Sequence, residues 1–200
     1  MKKLLVGCLS LLAVSMFAIQ ARATMLSFTP SASSINIGEN LDVDVVISDL
    51  GGSFVGAFDF DVTFDDTILT FNSYSFTDNL GDISAGDADD WSFGDLGFGT
   101  VNLAELSWLL DLSFQGDSFT LATLSFTGSA VGTSGLGFGL ANISDDWGNP
   151  IAVTLGAGTV DVAGGAPVPE PATMILFGTG IAGLLGSGIR KKRAYKKLQF

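Results

Sequence analysis

From Leu26 to Val162 apolar and polar residues alternate with a period of two, and nothing else in the chain restricts its fold so tightly. In "LDVDVVISDL" Leu41, Val43, Val45 and Ile47 fall on one face, with Asp42, Asp44 and Ser48 on the other. In "AFDFDVTF" Phe58, Phe60, Val62 and Phe64 point one way, and Asp59, Asp61 and Thr63 the other. A strand with one dry and one wet face belongs in an antiparallel sheet packed on a second layer. Further runs of this kind are "LSFTP", "SSINI", "ILTFNSYSF", "TVNLAELSW", "SFTLATLSFTG", "SGLGFGLANI", "IAVTL" and "GTVDV", separated by turn signals such as "DLGG", "DNLGD", "SAVGTSG" and "DDWGNP". No long apolar stripe of helical period interrupts them. Roughly nine or ten short strands so spaced predict an all-β sandwich of two sheets with Greek-key or jelly-roll connections. The exception is Thr77 to Gly99, which reads as a long loop of the kind that carries function.

Nothing between Thr24 and Ile189 is basic. Lys2, Lys3 and Arg22 precede that interval, and Arg190, Lys191, Lys192, Arg193, Lys196 and Lys197 follow it. All 21 acidic residues lie inside it and only Glu170 comes after Pro169, so the domain carries a formal charge of about −20 where the whole chain carries −12. Such a field repels nucleic acid and anionic lipid, and draws divalent cations or basic partners. It also serves plain solvation. The chain has no histidine and its one cysteine is Cys8, which excludes Ser-His-Asp and Cys-His catalysis and the commonest transition-metal sites. Disulfides do not hold this fold together.

The two ends read as export signals. "MKKLLVGCLSLLAVSMFAIQARA" sets Lys2 and Lys3 before an apolar run from Leu4 to Ile19 and small residues at Ala21 and Ala23, the layout of a secretory signal peptide that signal peptidase cuts after Ala23. Leu5-Val6-Gly7-Cys8 resembles a lipobox, but the few apolar residues before Cys8 make a short signal for acylation there. At the other end Ala172 to Ile189 is uncharged and would span ~27 Å as a helix, close to the ~30 Å hydrocarbon core of a bilayer. Gly178, Gly180, Gly183, Gly186 and Gly188 make it a poor permanent anchor. The basic residues beyond it place the tail in the cytoplasm, and hence the acidic domain outside. Pro169 and Pro171 keep the junction extended.

These residues carry two resemblances. Val168-Pro169-Glu170-Pro171, the apolar run and "RKKRAYKK" resemble the PEP-CTERM sorting signal of Gram-negative bacteria that make extracellular polysaccharide. That resemblance implies transient membrane insertion and processing by an exosortase, a membrane protease, near Pro-Glu-Pro. "INIGENLDVDVVISDLGGSFVGAFDFDVTFDDTILTF", with "FTLATLSFTGSAVGTSGLGF" and "ISDDWGNPI", resembles cohesin-like domains. It implies a jelly-roll sandwich of about nine strands related to carbohydrate-binding modules, and binding rather than catalysis. The expected organisation is a signal peptide over 1–23, the sandwich over 24–163, a linker over 164–171, a transmembrane helix over 172–189 and a basic tail over 190–200.

Within the domain, Trp91 and Trp147 each follow paired aspartates in loops and are candidates for stacking on sugar rings, whereas Trp108, inside "LSWLL", reads as core. Asp82, Asp87, Asp89 and Asp90 are candidate calcium ligands, since that hard cation takes carboxylate oxygen, although their spacing is not that of an EF-hand. Asp145 and Asp146 form a smaller acidic pair, and Asp65 and Asp66 read as a turn. No pair of carboxylates stands out as a glycosidase pair. The function expected is a non-enzymatic module at the cell surface or in its exopolysaccharide, binding polysaccharide or a matrix protein and needing no cofactor beyond that candidate calcium. The alternative is an acidic matrix component that binds divalent cations without a glycan site.

Overall fold

The computed structural model describes residues 23–165. The signal segment through Arg22, the Pro-Glu-Pro motif, the apolar run and the basic tail lie outside the described residues. The chain divides into two units, Met1–Ala163 and Gly164–Phe200, and the described residues fall almost wholly in the first. Among them no helix is long and apolar enough to cross a membrane.

The domain is an all-β sandwich of strands β1 (Thr24–Pro30), β2 (Ser34–Asn36), β3 (Asn40–Ser48), β4 (Val55–Thr63), β5 (Leu69–Phe76), β6 (Ala88–Asp90), β7 (Gly94–Gly97), β8 (Thr100–Ser107), β9 (Phe119–Gly128), β10 (Gly132–Asp145), β11 (Val153–Leu155) and β12 (Gly158–Ala163). One sheet has the order β11-β1-β3-β9-β5; the other runs β2-β12-β10-β4-β8-β6, with β7 also against β8. Both sheets are mixed, because β11 pairs parallel with β1 and β12 parallel with β2. Side-chain alternation reports which face a residue takes but not which way its neighbour runs, and only tight turns force antiparallel pairing. The long chain separating these partners leaves the direction open.

The expected faces are realised. Leu41, Val43, Val45 and Ile47 of β3, and Phe58, Phe60 and Val62 of β4, are buried, while Phe64 is partly buried against the same core. Aromatic pairs tie the two layers. Phe28 of β1 stacks on Phe138 of β10 at 4.2 Å between ring centroids, Phe58 meets Phe76 of β5 edge-on at 5.5 Å, and Phe64 meets Phe126 of β9 at 5.0 Å. Offset and edge-on contacts of this kind add to what burial alone supplies.

Thr77 to Gly99 is not one long loop. It holds a 3-10 turn at Ile83–Ala85, then β6 and β7. Strands of three and four residues, one of them bounded by glycines, are too short to show a period. The Asp65 side chain closes the turn expected there, accepting from the Thr67 N–H at 3.0 Å and the Thr67 hydroxyl at 2.5 Å.

The β7–β8 hairpin turns through Phe98 at φ 53° and Gly99 at φ 68°. The Phe64 N–H donates to the Gly99 carbonyl at 2.9 Å, and a Cβ at position 99 would collide with the Phe64 carbonyl oxygen. Gly99→Ala combines a left-handed conformation with that clash, so thermal unfolding should show a loss of about 2 kcal/mol or more.

Candidate functional site

The wet face of the second sheet collects aromatic side chains over a carboxylate floor. Its register pairs Ala57 with Leu106, Asp59 with Ala104 and Asp61 with Asn102. These are the outward residues of β4 and β8. The buried Asn102 amide donates to Asp59 and Asp61, 2.9 Å each, and its oxygen accepts the Phe93 N–H at 3.1 Å. The Trp91 N–H reaches the Ala104 carbonyl at 2.8 Å, and the Ala104 N–H reaches the Ser92 hydroxyl at 2.9 Å. Segment 91–93 is therefore laced to β8, and both its rings stand in solvent, Trp91 at 64% exposure.

Trp91, Phe93, Asn102, Ala104, Ala57 and Asp59 line a groove of about 390 Å³. On the other side of β4, a recess of about 240 Å³ shares Ala57 and Asp59 and adds Asn142, Ser144, Gly148 and Pro150. Trp147, 84% exposed, adjoins Gly148 on a turn that the Asp145 carboxylate closes by accepting the N–H groups of Trp147 and Asn149 at 2.9 and 2.7 Å. Trp91 lines the groove and Trp147 is the chain neighbour of Gly148, which lines the recess; the two depressions meet over β4 at Ala57 and Asp59.

Beneath this face lies a buried acid. Val101, Leu103 and Glu105 are the inward residues of β8, and Glu105 is 1% exposed with neither carboxylate oxygen hydrogen-bonded. It pairs across the sheet with Phe58 on one side and Asp90 of β6 on the other. Burial, then the negative charges of Asp90 and Asp78, push its pKa up to about 8. Asp90 is itself clasped from the opposite sheet by the Tyr74 hydroxyl at 2.8 Å.

Solved structures give the architecture a family likeness. The domain is similar to the sixth cohesin of scaffoldin B from Acetivibrio cellulolyticus, solved in complex with a Cel5 dockerin mutant, at 19% identity and a TM-score of 0.58 over 71% of this chain and 100% of that one. A type II cohesin domain from the cellulosome of the same organism matches at 14% identity and a TM-score of 0.59, covering 70% of this chain and 95% of its own. A non-cellulosomal cohesin from the archaeon Archaeoglobus fulgidus matches at 13% identity and 0.55, over 71% and 92%. The fold is that of cohesin modules. Residues 167–192 match the PEP-CTERM protein-sorting motif. None of the curated proteins matches the chain.

On the cohesin-like sandwich the sequence-predicted residues fall as follows. Trp91 and Trp147 are both exposed, Trp91 in the lining of the groove and Trp147 next to Gly148 of the recess. Trp108 is not core: it is 56% exposed, and its indole N–H donates to Asp89 at 3.0 Å. The apolar run around it suggested burial, but the outward register of Asn102, Ala104 and Leu106 carries on to Trp108. Asp82 caps the 3-10 turn by accepting from the Ser84 hydroxyl and N–H at 2.6 and 2.8 Å, bonds that hold its pKa below the ordinary carboxylate range. Asp87 meets Trp108 through its backbone carbonyl, Asp89 holds the Trp108 indole, and Asp90 accepts from Tyr74 and from the Ser92 N–H. Among the described residues no three His, Cys, Asp or Glu side chains gather as a metal-binding group.

Glu105 and Asn102 escaped the sequence reading, though its own alternation places Glu105 with Val101 and Leu103. The signal was a charged residue at an inward position of a strand.

Proposed function

We propose that this chain is an exported, non-enzymatic binding module that an exosortase sorts to the cell surface, and that holds a protein partner on the aromatic-walled face of β10, β4 and β8. The observation that carries the reading is the groove itself. Trp91 and Phe93 are large, exposed and fixed by backbone bonds to β8 on a domain whose charge is otherwise uniformly acidic, and such rings favour interfaces over open solvent. Cohesin modules of the same fold have been solved in complex with dockerins, which supports a protein as the partner. The PEP-CTERM motif supports export and surface delivery.

Polysaccharide is the second reading, favoured by the free indole faces of Trp91 and Trp147. The calcium-bridged matrix role has less support, because Asp82, Asp89 and Asp90 are engaged by turns and by aromatic donors.

The test uses the full chain as bait for extracellular proteins and, separately, its retention on immobilised exopolysaccharide. Replacing both Trp91 and Phe93 by alanine should weaken protein binding by about 2–4 kcal/mol with the melting temperature unchanged. Retention on polysaccharide that is lost in Trp147→Ala would make glycan the ligand. If the double variant keeps every partner of the wild type, the face is wrongly assigned. A surface form whose intact mass still includes Arg190 to Phe200 would count against exosortase processing.

A further inference from the structure

We infer that the outer edge of β5 is a docking strand for an extended peptide segment of a partner, uncharged at its centre and carrying Lys or Arg at both ends. The four sheet edges are unequal. β11 and β2 are three residues each and the outer side of β8 is shared by β6 and β7, of three and four, whereas β5 has eight and pairs only with β9. Short edge strands, charges and prolines are the usual protection of a sheet edge against foreign strands. β5, "LTFNSYSF", has none of these. Its one protective feature is a bulge between Phe71 and Ser73, and beyond it Ser73–Phe76 keep regular register with β9.

The direction of the free groups follows from that register. The Thr77 N–H donates to the Leu121 carbonyl of β9. Alternation then turns the backbone groups of Ser75 and Ser73 toward β9, and those of Tyr74 and Phe76 toward the open side. Among the described residues no strand pairs there. An added strand would take main-chain hydrogen bonds from Tyr74 and Phe76, the recognition mode in which the backbone supplies affinity and the flanks supply selectivity.

Charge selects the occupant. Asp65 and Asp66 stand just before β5 and Asp78 just after it, with Asp90 beside Tyr74. A second copy pairing antiparallel would bring Asp65 and Asp66 against Asp78 of its neighbour, and a parallel one would bring like ends together. Both arrangements set carboxylate on carboxylate between domains of about −20 formal charge. A strand with basic ends meets opposite charge at both.

Hydrogen exchange of the full chain, read at Tyr74 and Phe76, tests this with the peptides KKVTVTKK and EEVTVTEE. The basic peptide should slow exchange at both amides by about tenfold or more, and the acidic one should leave it unchanged. Ser75→Lys, which sets a positive charge on the exposed side of the strand, should abolish that protection without lowering the melting temperature, and Trp91→Ala should leave it intact. No protection at Tyr74 and Phe76 with the basic peptide overturns the inference. So does equal protection by the acidic peptide, or protection that grows with protein concentration in the absence of peptide and marks a second copy as the occupant.

Discussion

Glu105→Gln should make the domain markedly more stable at pH 8 and nearly indistinguishable from the wild type at pH 4.5. The folded pKa of Glu105, about 8, lies above its ordinary 4.5, so the folded domain keeps this proton through a range in which the unfolded chain has released it. Wild-type stability therefore falls as pH rises from about 4.5 to about 8 and levels off above that. With no base anywhere between Thr24 and Ile189, the carboxylate formed at high pH has no internal counter-ion. The amide cannot ionise, and removing the penalty should be worth about 2–4 kcal/mol at pH 8. Melting curves of both proteins from pH 4.5 to pH 9 measure it; parallel curves would refute the assignment. Glu39, Asp65, Asp111 and Asp145, held below their ordinary range by hydrogen bonds, act in the opposite sense, and their contribution is lost as pH falls into the acid range.

A second large effect is expected at Gln115, between β8 and β9. Its buried amide accepts the Val55 N–H at 2.7 Å and donates to the carbonyls of Val55 and Asn79, each at 2.9 Å. One side chain thereby fastens the start of β4 to the connection after β5. Gln115→Ala removes all three of these bonds to backbone groups, and should cost about 3 kcal/mol in denaturant titration. Gln115→Glu should be at least as harmful, because it turns a negative oxygen toward two carbonyls. A loss below about 1 kcal/mol in both would mean that water replaces the amide.

How much of this was readable in advance depended on the length of each element. The long strands announced themselves because a period of two needs several residues to show, and β3 repeats it over nine residues and β4 from Gly56 onward. β6 and β7 had no such span, and they are the elements that bring Trp91 and Phe93 to β8. The groove depends on the Ser92–Ala104 bonds, a pairing across chain distance that no local pattern encodes. Trp108 and Glu105 teach the reverse lesson: residue class suggested one environment, the register of β8 dictated the other, and the register prevailed.

The parallel pairing of β12 sets how the module bears load. Tension entering from the tail reaches the sandwich at Ala163, the last residue of β12, which is held by five residue pairs to β10 and three to β2. Neighbours on both flanks must slide together before the strand can leave, unlike a terminal hairpin that opens one rung at a time. β10 lies directly beside β12 and β4 beside β10, so force entering at Ala163 passes first into the strands that form the floor of the groove.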